Sequence, residues 1–130
     1  MRSVAREVVF KFIFSKLFNS ETEGLFNALL KNSELTESDK DFAYDLLDFI
    51  EKDYSKYEEI FNDLTLKFHS SRIFPADKCA CILGMAEFDN YSETPKPVII
   101  NEAVNLASKY STEKSTDFVN GILAEYTRGK

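Results

Sequence analysis

Apolar residues recur every three or four positions along most of this chain, from Val4 to Tyr126, and nowhere settle into sustained alternation. Helices repeat every 3.6 residues and strands every two, so the spacing predicts an all-α fold. Four Gly and three Pro among 130 residues agree with it. Sandwiches and barrels need many tight turns, whereas long helices need few. A hydrophobic content of 44% is too high for a disordered chain. The length suits one domain, residues 1–130, with a real core.

Residues 3–18 read as a helix that is apolar almost all round (Val4, Val8, Val9, Phe10, Phe12, Ile13, Phe14, Leu17, Phe18), a pattern typical of a central helix. A short helix is expected near 23–32, with Leu25, Phe26, Leu29 and Leu30 inward. Thr36 with Asp39 three residues later resembles a capping box ahead of Phe42, Ala43, Leu46, Leu47 and Ile50. Tyr57, Ile60, Phe61, Leu64 and Phe68 continue the pattern, as one long helix or as two. Pro75 suits the first turn of a helix whose inner stripe is Cys79, Ile82, Leu83 and Ala86. After a polar loop at 89–95 comes a helix with Ile100, Ala103, Val104, Ala107 and Tyr110 on one face. A polar stretch, Ser111 to Thr116, then precedes a last helix burying Val119, Ile122, Leu123 and Tyr126. Gly121 inside that helix costs about 1 kcal/mol relative to Ala, which suggests close helix approach or backbone exposed to a ligand.

Several kinds of chemistry find no support. Cys79 and Cys81 stand as C-x-C, not the C-x-x-C of redox or zinc sites, and read as buried, reduced thiols in a cytoplasmic protein. There is no run of some 18 apolar residues for a membrane span and no Gly-rich phosphate loop. The single histidine, His69, reads as a surface or helix-end residue without a catalytic setting. Asp39, Asp41, Asp45 and Asp48 are expected around a solvated helix face, not in a cation loop. Neither an enzyme nor a metal or cofactor is expected.

The net charge of −6 is unevenly spread. Residues 1–18 carry +3, residues 19–69 carry −8, and residues 70–130 carry −1. Arg2 and Arg6, four apart, share a face of the first helix. Such a cationic tip could hold phosphates, while the acidic middle would repel RNA and could meet a basic protein.

Two segments carry a family resemblance: Ala5 to Phe14, which opens Ala5-Arg6-Glu7, and Pro97 to Tyr110 followed by Phe118 to Leu123. The run Ile100-Asn101-Glu102-Ala103-Val104 and the run Phe118-Val119-Asn120-Gly121-Ile122-Leu123 occur in the order and at the separation found in the NusB family, which the chain resembles over nearly its whole length. The resemblance implies an all-α bundle of about seven helices in two subbundles. It implies a transcription antitermination factor that binds boxA-type single-stranded RNA together with NusE, a small-subunit ribosomal protein. The pair joins an RNA polymerase antitermination complex, notably on ribosomal RNA operons. Relatives could be monomers or homodimers.

Carried over by matching position, the resemblance makes Arg2, Arg6, Lys114 and Phe118 the RNA-binding residues. The two arginines and Lys114 would meet phosphates, and Phe118 would stack on a base. Glu7, Asn101, Glu102, Asn120 and Gly121 are expected as structural motif residues, the last four mainly at helix ends and in helix packing. The chain has fewer arginines before Arg6 than is common in the family. Two alternatives follow: a helical protein-interaction module with weak or no RNA binding, or a detached NusB-like domain of a ribosomal RNA cytosine methyltransferase. The chain continues only seven residues past Leu123, so no catalytic domain is expected after it.

Overall fold

The predicted apolar stripes become the buried faces of seven helices. The computed structural model describes residues 1–68 and 73–130, and His69 lies outside the described residues. The helices are α1 (Arg2–Lys16), α2 (Leu25–Lys31), α3 (Glu37–Lys52), α4 (Tyr54–Lys67), α5 (Pro75–Asn90), α6 (Lys96–Tyr110) and α7 (Ser115–Thr127). Among the described residues there is no strand.

Helix α5 is the axis of the packing. Every residue from Ala76 to Glu87 except Lys78 is buried, so the stripe read from the sequence widens to the whole circumference. A helix apolar on all sides must be surrounded, and α5 touches α1, α3, α4, α6 and α7. Helices α2 and α3 pack on α1, while α4, α6 and α7 pack against α5 and α7 against both α4 and α6. This gives the two expected groups of helices, with α5 common to them. Cys79 and Cys81 are buried free thiols, and burial pushes both thiol pKa values up, Cys79 to about 12.

The boundaries hold several corrections. The stretch 37–67 is two helices, because Asp53 leaves helical geometry (φ −118°, ψ 24°). Helix α5 runs through Asn90 and shortens the expected loop. Leu17 and Phe18 fall beyond α1 and are exposed, while Tyr110, 38% exposed, stacks on the buried Phe10 ring with centroids 5.1 Å apart. Thr36 caps α3 by accepting from the Asp39 amide at 3.2 Å. The reciprocal half of the capping box is absent. The Asp39 carboxylate is buried and takes the Met1 ammonium at 2.5 Å, with the Arg2 Nε at 3.4 Å, so it is no part of a solvated face. That ammonium, then the Thr36 bond and the Arg2 charge, holds the Asp39 pKa below its ordinary value against partial burial.

Two glycines let helices come close. A Cβ on Gly84 would stand 2.8 Å from a methyl of Leu123, and one on Gly121 would stand 2.7 Å from the Phe68 ring. The close approach inferred for Gly121 is therefore made by an aromatic ring. At the far end of α5, Tyr57 and Tyr126 both donate to Asp89 Oδ2, at 2.9 and 2.7 Å, which ties α4 and α7 together.

Leu123 is fully buried, while the Phe68 ring is 40% exposed and free to swing outward. Gly84→Ala is therefore expected to lose up to about 2 kcal/mol, since overpacking costs about 1–3 kcal/mol and helix propensity returns about 1 kcal/mol. Gly121→Ala is expected to be near neutral. Urea denaturation of the two variants checks the contrast, and equal stabilities would contradict it.

Candidate nucleic-acid interface

Arg6 sits on the inward side of α1, one turn from the N-terminal end, where α1 crosses α5 and α6. Its Nε donates to Glu87 Oε1 at 2.7 Å and one terminal nitrogen to Glu87 Oε2 at 2.6 Å. The other terminal nitrogen lies 3.2 Å from Glu102 Oε1. Arg6 is 5% exposed and Glu87 is fully buried. Two parallel bonds between a guanidinium and a carboxylate make the strongest common ion-pair geometry. Burial works against the charged guanidinium, yet the bonds and charge of Glu87, then the charge of Glu102, hold its pKa above the ordinary value.

Arg6 is thus corrected from phosphate ligand to structural cation: all three of its nitrogens face carboxylates inside the protein. Sequence spacing placed Arg2 and Arg6 on one face, and they do share a neighbour. Both guanidiniums lie over the Phe42 ring, Arg2 at 4.3 Å and Arg6 at 5.3 Å. Only the Arg2 side chain reaches solvent, 48% exposed.

The carboxylates of the two motifs are ties between helices. Glu102, half-buried in the middle of α6, accepts from the Ser3 hydroxyl at 2.5 Å as well as facing Arg6. Glu7 accepts from Lys109 at 2.7 Å and from the Tyr110 hydroxyl, joining α1 to the end of α6. Partial burial raises the Glu7 pKa, but these two bonds outweigh it and leave the carboxyl below its ordinary value. The structural reading of Glu7, Glu102 and Gly121 fits these contacts, although Glu102 is at no helix end. Asn101 and Asn120 depart from it: both are exposed and line a groove between α6 and α7.

Lys114 is exposed at the N-cap of α7. Phe118 is half-buried and meets the rings of Phe61 and Phe68 edge-on, with centroids 6.2 and 6.5 Å away, so it packs α7 against α4. Arg2 packs against α3 instead. Among the described residues Phe118 and Arg2 share no ring or ion-pair neighbour, and the single surface expected of them is not formed by direct contact.

The start of α7 is held by a polar cluster that the sequence reading missed. The Ser115 hydroxyl donates to Asp77 Oδ2 at 2.9 Å. With its one hydrogen committed there, Ser115 Oγ accepts from the Ser111 and Thr112 hydroxyls, 2.9 and 3.0 Å away. Asp77 is buried, and among the described residues its Oδ1 has no hydrogen-bond partner. Burial pushes the Asp77 carboxyl up despite the Ser115 bond and the nearby Ser111 hydroxyl. The cluster fixes the turn that presents Lys114. Its only sequence signal was an acidic residue in the first turn of α5, an ordinary feature of helix starts.

Removing Arg6 would leave the Glu87 charge buried without its partner, a change that typically costs 3–5 kcal/mol. Arg6→Ala is expected to lose about that much stability. A double variant, Arg6→Met with Glu87→Leu, should recover most of it, as read by urea denaturation. A single variant that melts like the wild type would overturn this assignment. For Asp77, a raised folded-state pKa means that its neutral form stabilises the fold below the ordinary value of 3.8, and that this contribution is lost as pH rises through the raised value. Asp77→Asn keeps an acceptor for Ser115 without the charge. Its stability relative to wild type should therefore increase from about pH 4 to about pH 7, and a gap independent of pH would argue against a buried, unfavourably ionised carboxylate.

Comparison with known proteins agrees with this architecture. The model of the NusB family matches residues 2–128. The transcription antitermination protein NusB of Methylacidiphilum infernorum is 38% identical over 125 residues, covering 94% of this chain and 87% of the relative. The structure of T. maritima NusB superposes with a TM-score of 0.88 at 26% identity, over 99% of this chain and 92% of that one. A chain in a crystal structure of the antitermination factors NusB and NusE in complex with double-stranded RNA shares the fold, with a TM-score of 0.81 at 23% identity over 96% of this chain and 94% of that one. With a family match over nearly every residue and a close relative of almost the same extent, the chain belongs to the NusB family.

Proposed function

We propose that this protein is a transcription antitermination factor that binds boxA-type single-stranded RNA together with a NusE-type ribosomal protein and helps assemble an antitermination complex on RNA polymerase. The match of the NusB family to residues 2–128 carries this reading. It is supported by the NusB relative named for antitermination and by the neighbouring structure that holds NusB, NusE and RNA together. Residues 1–130 act as one binding domain, in the cytoplasm, by recognition and not by catalysis.

Arg2 and Lys114 are the cations this reading assigns to RNA phosphates. Arg2 lies over Phe42 with its side chain about half exposed, which leaves donors of its fork for a phosphate. Arg6 contributes by holding α1 on α5 and α6, so that the tip carrying Arg2 has a fixed position. Two exposed cations make a weak phosphate site, because each contact adds only a modest increment to affinity and to its salt dependence. A protein partner that binds RNA jointly would make up the difference.

The acidic outer face of α3, where Asp41, Asp45 and Asp48 are exposed, is assigned to that basic partner. Opposite charges across such a contact speed encounter and favour the right partner more than they add raw affinity.

Titration of labelled boxA RNA at two salt concentrations, with and without a NusE-type protein, tests the whole reading. Binding is expected to be weak alone and tighter with the partner. Arg2→Ala or Lys114→Ala should each lower the slope of log affinity against log salt by about 0.7–1. Reversing the charge of Asp45 and Asp48 should weaken partner binding and flatten its salt dependence. Absence of RNA binding under both conditions would favour the alternative of a purely protein-binding helical module.

A further inference from the structure

The groove between α6 and α7 uses the two motif asparagines that the fold leaves idle. It encloses about 510 Å³ and is lined by Pro97, Ile100, Asn101 and Val104 on one side and by Thr116 and Asn120 on the other. Asn101 comes from the first motif segment and Asn120 from the second. Both are exposed, and among the described residues neither carboxamide has a hydrogen-bond partner. We propose that this groove is a base-reading slot, in which one or two unpaired RNA bases lie against Ile100 and Val104 while the carboxamides of Asn101 and Asn120 bond to their edges.

The chemistry of the lining favours a base over a phosphate. Pro97, Ile100 and Val104 give the groove an apolar part, which suits the face of a heterocycle. A carboxamide offers a donor and an acceptor side by side, the pattern that pairs with the edge of adenine. Asp117 stands in the wall and would repel a phosphate, but can accept from an exocyclic amine. Lys96, also in the lining, gives one of its three donors to the Thr127 carbonyl at 3.3 Å.

Position favours RNA over another ligand. On one side, Asn101 adjoins Glu102, which is bonded to Ser3 beside Arg2 at the tip of α1. On the other, Thr116 and Asp117 lie in the first turn of α7, directly after Lys114. A strand with a phosphate on Lys114 therefore has this groove beside it. The Asp77–Ser115 cluster fixes one wall and the Glu102 ties fix the other, so the slot is formed before its ligand arrives. The inference rests on the RNA-binding function proposed above and adds to it the site of sequence recognition.

The test is fluorescence anisotropy with labelled boxA RNA and a scrambled RNA of equal length, on the wild type, Asn101→Ala, Asn120→Ala and Lys114→Ala, each with the NusE-type protein. Both asparagines are exposed, so melting temperatures should stay at the wild-type value. Each asparagine variant is expected to bind boxA RNA about tenfold more weakly, to lose discrimination against the scrambled RNA, and to keep the wild-type salt slope. Lys114→Ala should do the reverse, lowering the salt slope and preserving discrimination. Wild-type binding with asparagine variants within twofold of it overturns the slot while leaving the proposed function standing. Asparagine variants that lose the protein partner but bind RNA normally give the groove to that partner and overturn the RNA assignment. No RNA binding by the wild type overturns both.

Discussion

The ion pair of Arg6 with Glu87 is the interaction on which the arrangement of helices depends. A charge placed in a helix that is buried all round must be neutralised there, and among the described residues Arg6 is the cation bonded to it. Glu87 therefore dictates where α1 crosses α5, and Glu102 on α6 shares the same guanidinium. Three helices are fixed to one another at a point where apolar packing alone would allow sliding. A pair like this adds little net stability compared with an apolar replacement, but it penalises any register in which the charges are apart.

From that crossing the exposed features take their places. The tip of α1 projects past the ion pair, held further by the Met1 ammonium on Asp39 and by Ser3 on Glu102. Arg2 is left with its guanidinium over Phe42 and its side chain partly in solvent. On the opposite side of α6, the Asp77–Ser115 cluster sets where α7 begins, and so where Lys114 stands and how wide the α6–α7 groove opens. The proposed RNA surface is thus a product of buried polar contacts beneath it. Its charged groups are few, while the groups that orient them are numerous and internal.

The charge segregation of the chain acquires a simple geometry. The acidic residues of α3 divide into Asp39, consumed by the N-terminal tip, and Asp41, Asp45 and Asp48, which face outward. An acidic surface next to a small cationic tip disfavours RNA spreading over the molecule and leaves the flank to a basic protein. That division of labour suits a protein that binds RNA jointly and not alone.

Much of the fold was legible because helical periodicity depends only on neighbours in sequence: the buried apolar residues of α3 and α7 are those the spacing selects, and the two motifs were enough to indicate the family. Breaks between helices were less so, since Asp53 carries no Gly or Pro to mark the end of α3. The site was least legible. Arg6 has the same local signature as a solvated arginine, and only Glu87, 81 positions away, turns it inward. Asn101 and Asn120 read as packing residues until the crossing of α6 and α7 left their carboxamides outside. Sequence determines which residues seek the interior of their own helix, because that preference is local and repeats with the turn. Tertiary structure decides which charges find partners, because desolvating a charge is tolerable only where a distant carboxylate or cation happens to meet it.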